Sequence, residues 1–341
     1  MKVAMYYGLN DIRIEDVPPP KIGENEALVE MRACGVCGSD LMDWYLKSRA
    51  PLVLGHEPAG VIVEKGGKVK GFDVGDRVFV HHHVACLKCH YCMRGDYTLC
   101  SQFHETNIEP GGFSEYFRVP ASNLQIDTLK IPDALSFEKA TLIEPVGCCL
   151  RALKKCDIQK GDSIAIIGAG ATGIIHTALS KIFGSEKTIV CDLIDFRLNS
   201  ARKFGADVVV NTAKEDLTDV VMAETDGRGA DVVVVTAPSL EAYKMGLKIC
   251  RRGGKLCVFA PTKPGEQLQI SPKELFFSET RLIPSYSTSH VETREALELI
   301  ISGKLDLKGL ITHRFRLLDT AKAFKTALES KESLKVIVIN G

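Results

Sequence analysis

The opening stretch, MKVAMYYGLNDIRIEDVPPP, alternates apolar and polar positions, the period of a half-buried strand. From Gly161 the texture changes to short β-branched runs separated by segments of helix length. The uninterrupted apolar run SIAII, residues 163–167, predicts a strand buried on both faces. It leads into GAGATG, 168–173, and then into Ile174, Ile175, Ala178, Leu179, Ile182 and Phe183, which recur at helical period. Further strands are predicted at 187–192, 207–210, 231–236, 255–260 and 280–284. Strands alternating with helices predict an α/β unit built on a doubly wound parallel sheet of six strands.

Composition narrows the picture. With 341 residues, two domains are expected. Lys plus Arg and Asp plus Glu both total 43, so no charge excess points to nucleic acid, and no apolar run is long enough to cross a membrane. The acidic start lacks the basic head and apolar middle of a signal peptide, so a cytoplasmic protein with a small-molecule ligand is expected. Twelve cysteines in such a chain are expected as thiols. Cys34, Cys148, Cys149, Cys156, Cys191, Cys250 and Cys257 stand among apolar neighbours and are read as core filling.

Cys86, Cys89, Cys92 and Cys100 are different, since C-x2-C-x2-C-x7-C places four thiols in a short polar segment. Four thiolates can close a tetrahedron around zinc, a structural site with no position left for water. An iron–sulfur cluster would take the same ligands, but the last gap is long and no proline follows Cys100. A redox C-x-x-C pair leaves two cysteines unexplained, and a nucleic-acid ribbon needs a basic surface. Structural zinc is the reading taken.

The glycines of GAGATG follow a predicted strand and open a predicted helix, the context in which G-x-G-x-x-G signals a dinucleotide. Gly168, Gly170, Thr172 and Gly173 are the candidate pyrophosphate-side residues, approached by backbone amides and a helix N-terminus. Asp192 ends the next strand, where a carboxylate accepts ribose hydroxyls and repels a 2′-phosphate, so NAD is expected over NADP. Arg197 is a candidate to lie over the adenosine.

Upstream, CGVCGSD (34–40) and GHEPAG (55–60) supply Cys37, His56 and Glu57, a mixed sulfur, nitrogen and oxygen set suited to a catalytic zinc with an open position. Neighbouring residues of a strand face opposite ways, so His56 and Glu57 reach one metal only at a turn, which Gly55 and Pro58 permit. Glu57 is the less secure ligand. Glu144, in LIEPVGCC, is placed to complete or exchange in the same coordination sphere.

Taken together with VGDRV (74–78), PGGFSEY (110–116) and LITHRF (310–315), these motifs make the chain resemble the zinc-dependent medium-chain dehydrogenase family, in its polyol (sorbitol, L-iditol) and threonine dehydrogenase branch. The resemblance implies a GroES-like β-barrel catalytic domain from residues 1–150 and 287–341 and a Rossmann NAD-binding domain at 151–286, with a cleft between them for NAD and zinc. It also implies a homo-oligomer, dimer or tetramer, two zinc ions per chain, and oxidation of a secondary alcohol. Catalytic roles fall on Cys37, His56 and Glu57 at the metal and on Ser39 as the hydroxyl that relays the proton. Met42 stands where relatives often carry a histidine, so the onward proton goes to water or to Asp43. Trp44 reads as local packing rather than a sugar platform, and His81, His82 and His83 as structural or peripheral.

The expected substrate is a small polyol, cyclitol or aminocyclitol, with L-threonine as the alternative. Tyr45, His104, Glu105 and residues 286–290 are the positions that would select it. A nucleotide-binding protein without catalysis is the rival of another class, and the presence of Cys37 and His56 argues against it.

Overall fold

The computed structural model describes residues 1–329 and 331–340. It divides into two compact units, the first formed by Met1–Gly147, Thr288–Ile301 and Ile311–Gly341, the second by Cys148–Ser287 and Ser302–Leu310. The sequence placed the whole tail after 287 in the first unit, and Ser302–Leu310 departs from that. Leu305 and Leu310 are buried, and Lys304, Leu305, Asp306 and Lys308 line one depression together with Lys181, Lys203 and Phe204 of the second unit.

The first unit is a GroES-like β fold. Its larger sheet runs, in spatial order, Ile311–Arg316, Lys335–Ile339, Ala27–Gly35, Glu57–Lys65, Arg77–Val80 and Thr128–Lys130, with Tyr116–Val119 also paired to Ala27–Gly35. A three-stranded sheet joins Asp11–Asp16, Lys2–Gly8 and Leu52–Val53. Tyr6, Met31, Ile62, Phe113, Phe117 and Phe324 are among the fully buried side chains between these elements. Register matters more than the layers. Gly35 stands opposite Glu57 on one side and Ile337 on the other, so the ends of three strands distant in sequence converge.

The second unit carries six parallel strands in the order Val208–Asn211, Lys187–Asp192, Ser163–Ile167, Ala230–Val235, Cys250–Val258, Arg281–Pro284. This is the doubly wound order expected of a dinucleotide-binding sheet. Every residue of Ser163–Ile167 is buried, as a central parallel strand requires. The fifth strand starts earlier than the sequence predicted, because Arg251, Arg252, Gly253 and Gly254 form an irregular polar entry before Lys255 regains the register. Cys149, Cys156, Cys191 and Cys257 are buried in this unit, and burial pushes the Cys191 thiol up to about 12. No helix among the described residues is long and apolar enough to cross a membrane.

His176 lies fully buried in the helix Ala171–Ile182, its Nδ1 2.8 Å from the Thr172 carbonyl and its ring edge-on to Phe259. Burial lowers its pKa from 6.5 to about 4. The unfolded chain therefore takes up a proton that the folded chain refuses, so stability is full above pH 6.5 and falls as pH drops toward 4, by up to about 3 kcal/mol. His176→Leu is expected to make urea unfolding measurably less pH-dependent across that window, and an unchanged slope would contradict this account.

Candidate functional site

Cys37 precedes a single 3-10 turn, Gly38–Leu41, and the Asp40 side chain folds back to accept the Cys37 backbone N–H at 2.9 Å. Asp40 is buried, and its other oxygen lies 3.3 Å from Nδ1 of His56. One carboxylate thus fixes both the loop that carries the thiol and the orientation of the imidazole, leaving Nε2 to face a metal. Gly55, at φ +95°, makes the turn that lets His56 face the same way as Glu57 at the start of its strand. A Cβ at Gly55 would strike the Phe113 amide and the Cys34 sulfur.

Ligand atoms of Cys37, His56 and Glu57 all lie within 4.8 Å of one another. Ser39 Oγ is 3.5 Å from His56 Nε2, beside the same point. Burial alone would push the His56 imidazole down, but Asp40 and Cys37 hold it well above its usual value, a sign of how negative the surroundings are. The Glu57 carboxyl is raised by burial, opposed by Lys335 and reinforced by Glu144. Glu144, buried in the first turn of Ile143–Lys155, does not join the three-residue group, although its charge reaches Glu57 and Lys335. A thiol, an imidazole and one carboxylate at this spacing fit zinc, and three donors leave one of its four positions open.

The neighbours resolve differently from one another. Asp43 Oδ1 accepts the Tyr6 hydroxyl at 2.9 Å and the Leu9 N–H at 3.3 Å, so the residue anchors the first strand. Trp44 is 40% exposed and meets Tyr45 edge-on. His81 pairs with Asp127 at 2.9 Å, and His83 with the Thr106 carbonyl at 2.5 Å, while the His82 ring lies 4.9 Å from that of His56.

The thiols of Cys86, Cys89, Cys92 and Cys100 also gather within 4.8 Å. The Lys88 backbone N–H and further donors lower Cys86 to about 6, whereas burial raises Cys92 to about 12. Only Ala85, Cys92, Cys100 and Phe103 form a buried cluster here, with Cys86, Cys89 and Tyr97 packed against it. So small a core needs a metal to organise it, and four thiols fit structural zinc.

In the second unit Gly168 adopts φ +105°, and a Cβ on Gly173 would sit 1.9 Å from the Gly168 carbonyl oxygen, so no side chain fits at that crossing. Gly170 caps the helix that contains Thr172, and a Cβ there would meet nothing within 4 Å, which leaves the amides open to a phosphate. Asp192 accepts the N–H groups of Ala169 at 2.8 Å, Leu193 at 2.7 Å and Ile194 at 3.0 Å, so it is fixed at the mouth of the glycine turn. Arg197 reaches to 3.6 Å from it. These residues fit a dinucleotide.

Two residues of the centre escaped the sequence reading. Asp40 stood within a quoted motif without a role, and its spacing of three from Cys37 was the available signal. Lys335 carried none.

The model of the alcohol dehydrogenase GroES-like domain matches residues 23–133, and that of the zinc-binding dehydrogenase domain matches 171–302. The chain is 36% identical to sorbitol dehydrogenase of Bacillus subtilis, over 99% of this chain and 97% of that protein. It is 33% identical to L-threonine 3-dehydrogenase of Salmonella arizonae, over 96% of each. Among solved structures, a zinc-binding dehydrogenase from Sinorhizobium meliloti bound to NADP superposes with a TM-score of 0.88 at 26% identity, covering 99% of this chain and 98% of that one. Matches of this length, on a chain that keeps its metal donors and glycine turn in place, make it a member of the zinc-dependent medium-chain dehydrogenases, in the branch of the polyol and threonine enzymes.

Proposed function

We propose that this protein is an NAD-dependent dehydrogenase that oxidises a secondary hydroxyl of a small polyol, cyclitol or aminocyclitol. The observation that carries the reading is the gathering of Cys37, His56 and Glu57 beside the Ser39 hydroxyl. Similarity to sorbitol dehydrogenase supports the polyol class, and the threonine enzymes supply the second reading.

When bound, zinc acidifies the alcohol and NAD accepts its hydride. Cys37, His56 and Glu57 would hold the metal, and Asp40 keeps the imidazole in the tautomer that presents Nε2. Ser39 accepts the proton of the substrate hydroxyl at Oγ and hands on its own. Met42 offers no strong acceptor, so the proton leaves Ser39 for water or for Asp43, whose Oδ1 already accepts from Tyr6 and Leu9. Gly168, Gly170, Thr172 and Gly173 take the pyrophosphate, and Asp192 takes the adenosine ribose.

Cys37→Ala is expected to abolish turnover while NADH binding, read by fluorescence, stays within a few-fold of wild type; sustained turnover would remove the metal from the reaction. Ser39→Ala should lower kcat about a hundredfold or more with little change in KM. NADH formation assayed against a polyol and cyclitol panel and against L-threonine separates the two substrate readings. In the same assay NAD is expected to exceed NADP in kcat/KM by about tenfold or more, and Asp192→Ser to narrow the gap; equal rates with wild type would show that Asp192 does not face the ribose.

A further inference from the structure

The three successive histidines 81–83 are held in different ways. His81 is fully buried and pairs with Asp127 at 2.9 Å, and His83 Nδ1 lies 2.5 Å from the Thr106 carbonyl oxygen. The backbone beneath them is pinned by Asn123, whose side-chain amide donates to the carbonyls of His81 at 3.0 Å and His82 at 2.7 Å. The middle imidazole is not tied down. Its Nδ1 is enclosed without a hydrogen-bond partner, while the residue as a whole keeps partial exposure. With Nδ1 enclosed, the edge that carries Nε2 is the one left to meet a ligand. A polar ring in this condition on a fixed backbone weakens the fold, which calls for a function. Its place supplies one, because the His82 ring centroid is 4.9 Å from that of His56, at a tilt of 49°. A ring at this separation borders the space that a substrate held at the centre must enter.

We infer that His82 is a substrate-recognition residue: it hydrogen-bonds the hydroxyl on the carbon next to the one oxidised, so that the site takes vicinal diols in preference to simple secondary alcohols. An imidazole nitrogen donates or accepts according to tautomer, and a hydroxyl does both, so the two are matched. The inference rests on the dehydrogenase reading above and narrows its substrate. His81 and His83, each with a partner of its own, flank the middle ring and fix the segment that presents it; the His83 ring lies 4.0 Å from it. An alcohol without the second hydroxyl leaves His82 as it stands in the empty site, with nothing gained on binding.

The test compares 2,3-butanediol with 2-butanol, which share the secondary carbinol and differ by the adjacent hydroxyl, in NADH formation by zinc-replete protein. The readout is the ratio of the two kcat/KM values. Wild type should favour the diol by about tenfold or more, the scale of one hydrogen bond in a site built to make it. His82→Phe keeps a ring and removes both nitrogens, and should bring the ratio close to one, mainly by raising KM for the diol. His82→Gln, whose amide can stand where Nε2 stood, should restore part of the preference, which a merely structural role for the ring would not produce. His82→Leu carries the test should His82→Phe fail to fold. Zinc content, measured alongside, should match wild type in every variant. Loss of zinc in His82→Phe would make the ring a support of His56 and overturn the inference. A diol preference that survives removal of the imidazole, an equal loss on both alcohols, or a wild type without preference overturns it as well. No NADH from wild type with either alcohol or with any member of the polyol panel overturns the dehydrogenase reading beneath it instead.

Discussion

Negative charge without water is the constraint around which the first unit is arranged. Asp40, Glu57 and Glu144 are all buried, and the Cys37 sulfur lies within 4.8 Å of a Glu57 oxygen. Beside Glu57 stands the buried cation Lys335. Isolated buried carboxylates either take up protons or find counter-charge. Burial raises the Glu57 carboxyl, and the charges of Asp40 and Cys37 raise the His56 imidazole, so both lean toward holding a proton. A divalent ion supplies the counter-charge, and the same charge that relieves the cluster acidifies an alcohol bound to it.

That demand explains why the centre draws on so much of the chain. Cys37 comes from the end of the strand Ala27–Gly35 and its following turn, His56 and Glu57 from the start of the antiparallel neighbour, and Lys335 from the strand on the other side. Register brings these ends level. A slip of one residue would turn Glu57 to the opposite face of the sheet and leave Lys335 buried without its carboxylate. Folding of the sheet and assembly of the site are therefore one event. The thiolate lobe follows the opposite logic, since its four ligands are local and its apolar cluster is slight.

What the sequence revealed tracks how local each signal was. The glycine turn, the thiolate lobe and the pairs around Cys37 and His56 are set within a few residues, and the structure gathers the donor groups that those spacings suggest. Lys335 was invisible because its meaning lies in Glu57 and Gly35, far along the chain; a lone lysine opening an apolar strand reads as a solvated end. Residues 250–254 were missed as strand because Arg251, Arg252 and two glycines carry no β pattern, and only pairing with Ala230 reveals them. Ser302–Leu310 was placed with the first unit by the family resemblance, whereas it clusters with the second, where Leu305 and Leu310 are buried.

The central claim is that the chain holds a second, open-coordinated ion besides the one in the thiolate lobe. Elemental analysis of freshly purified active protein, alongside the Cys37→Ala variant, measures this directly. The account predicts two zinc ions per chain in the first and one in the second. A single ion per chain in fully active protein, unchanged by loss of Cys37, would contradict it.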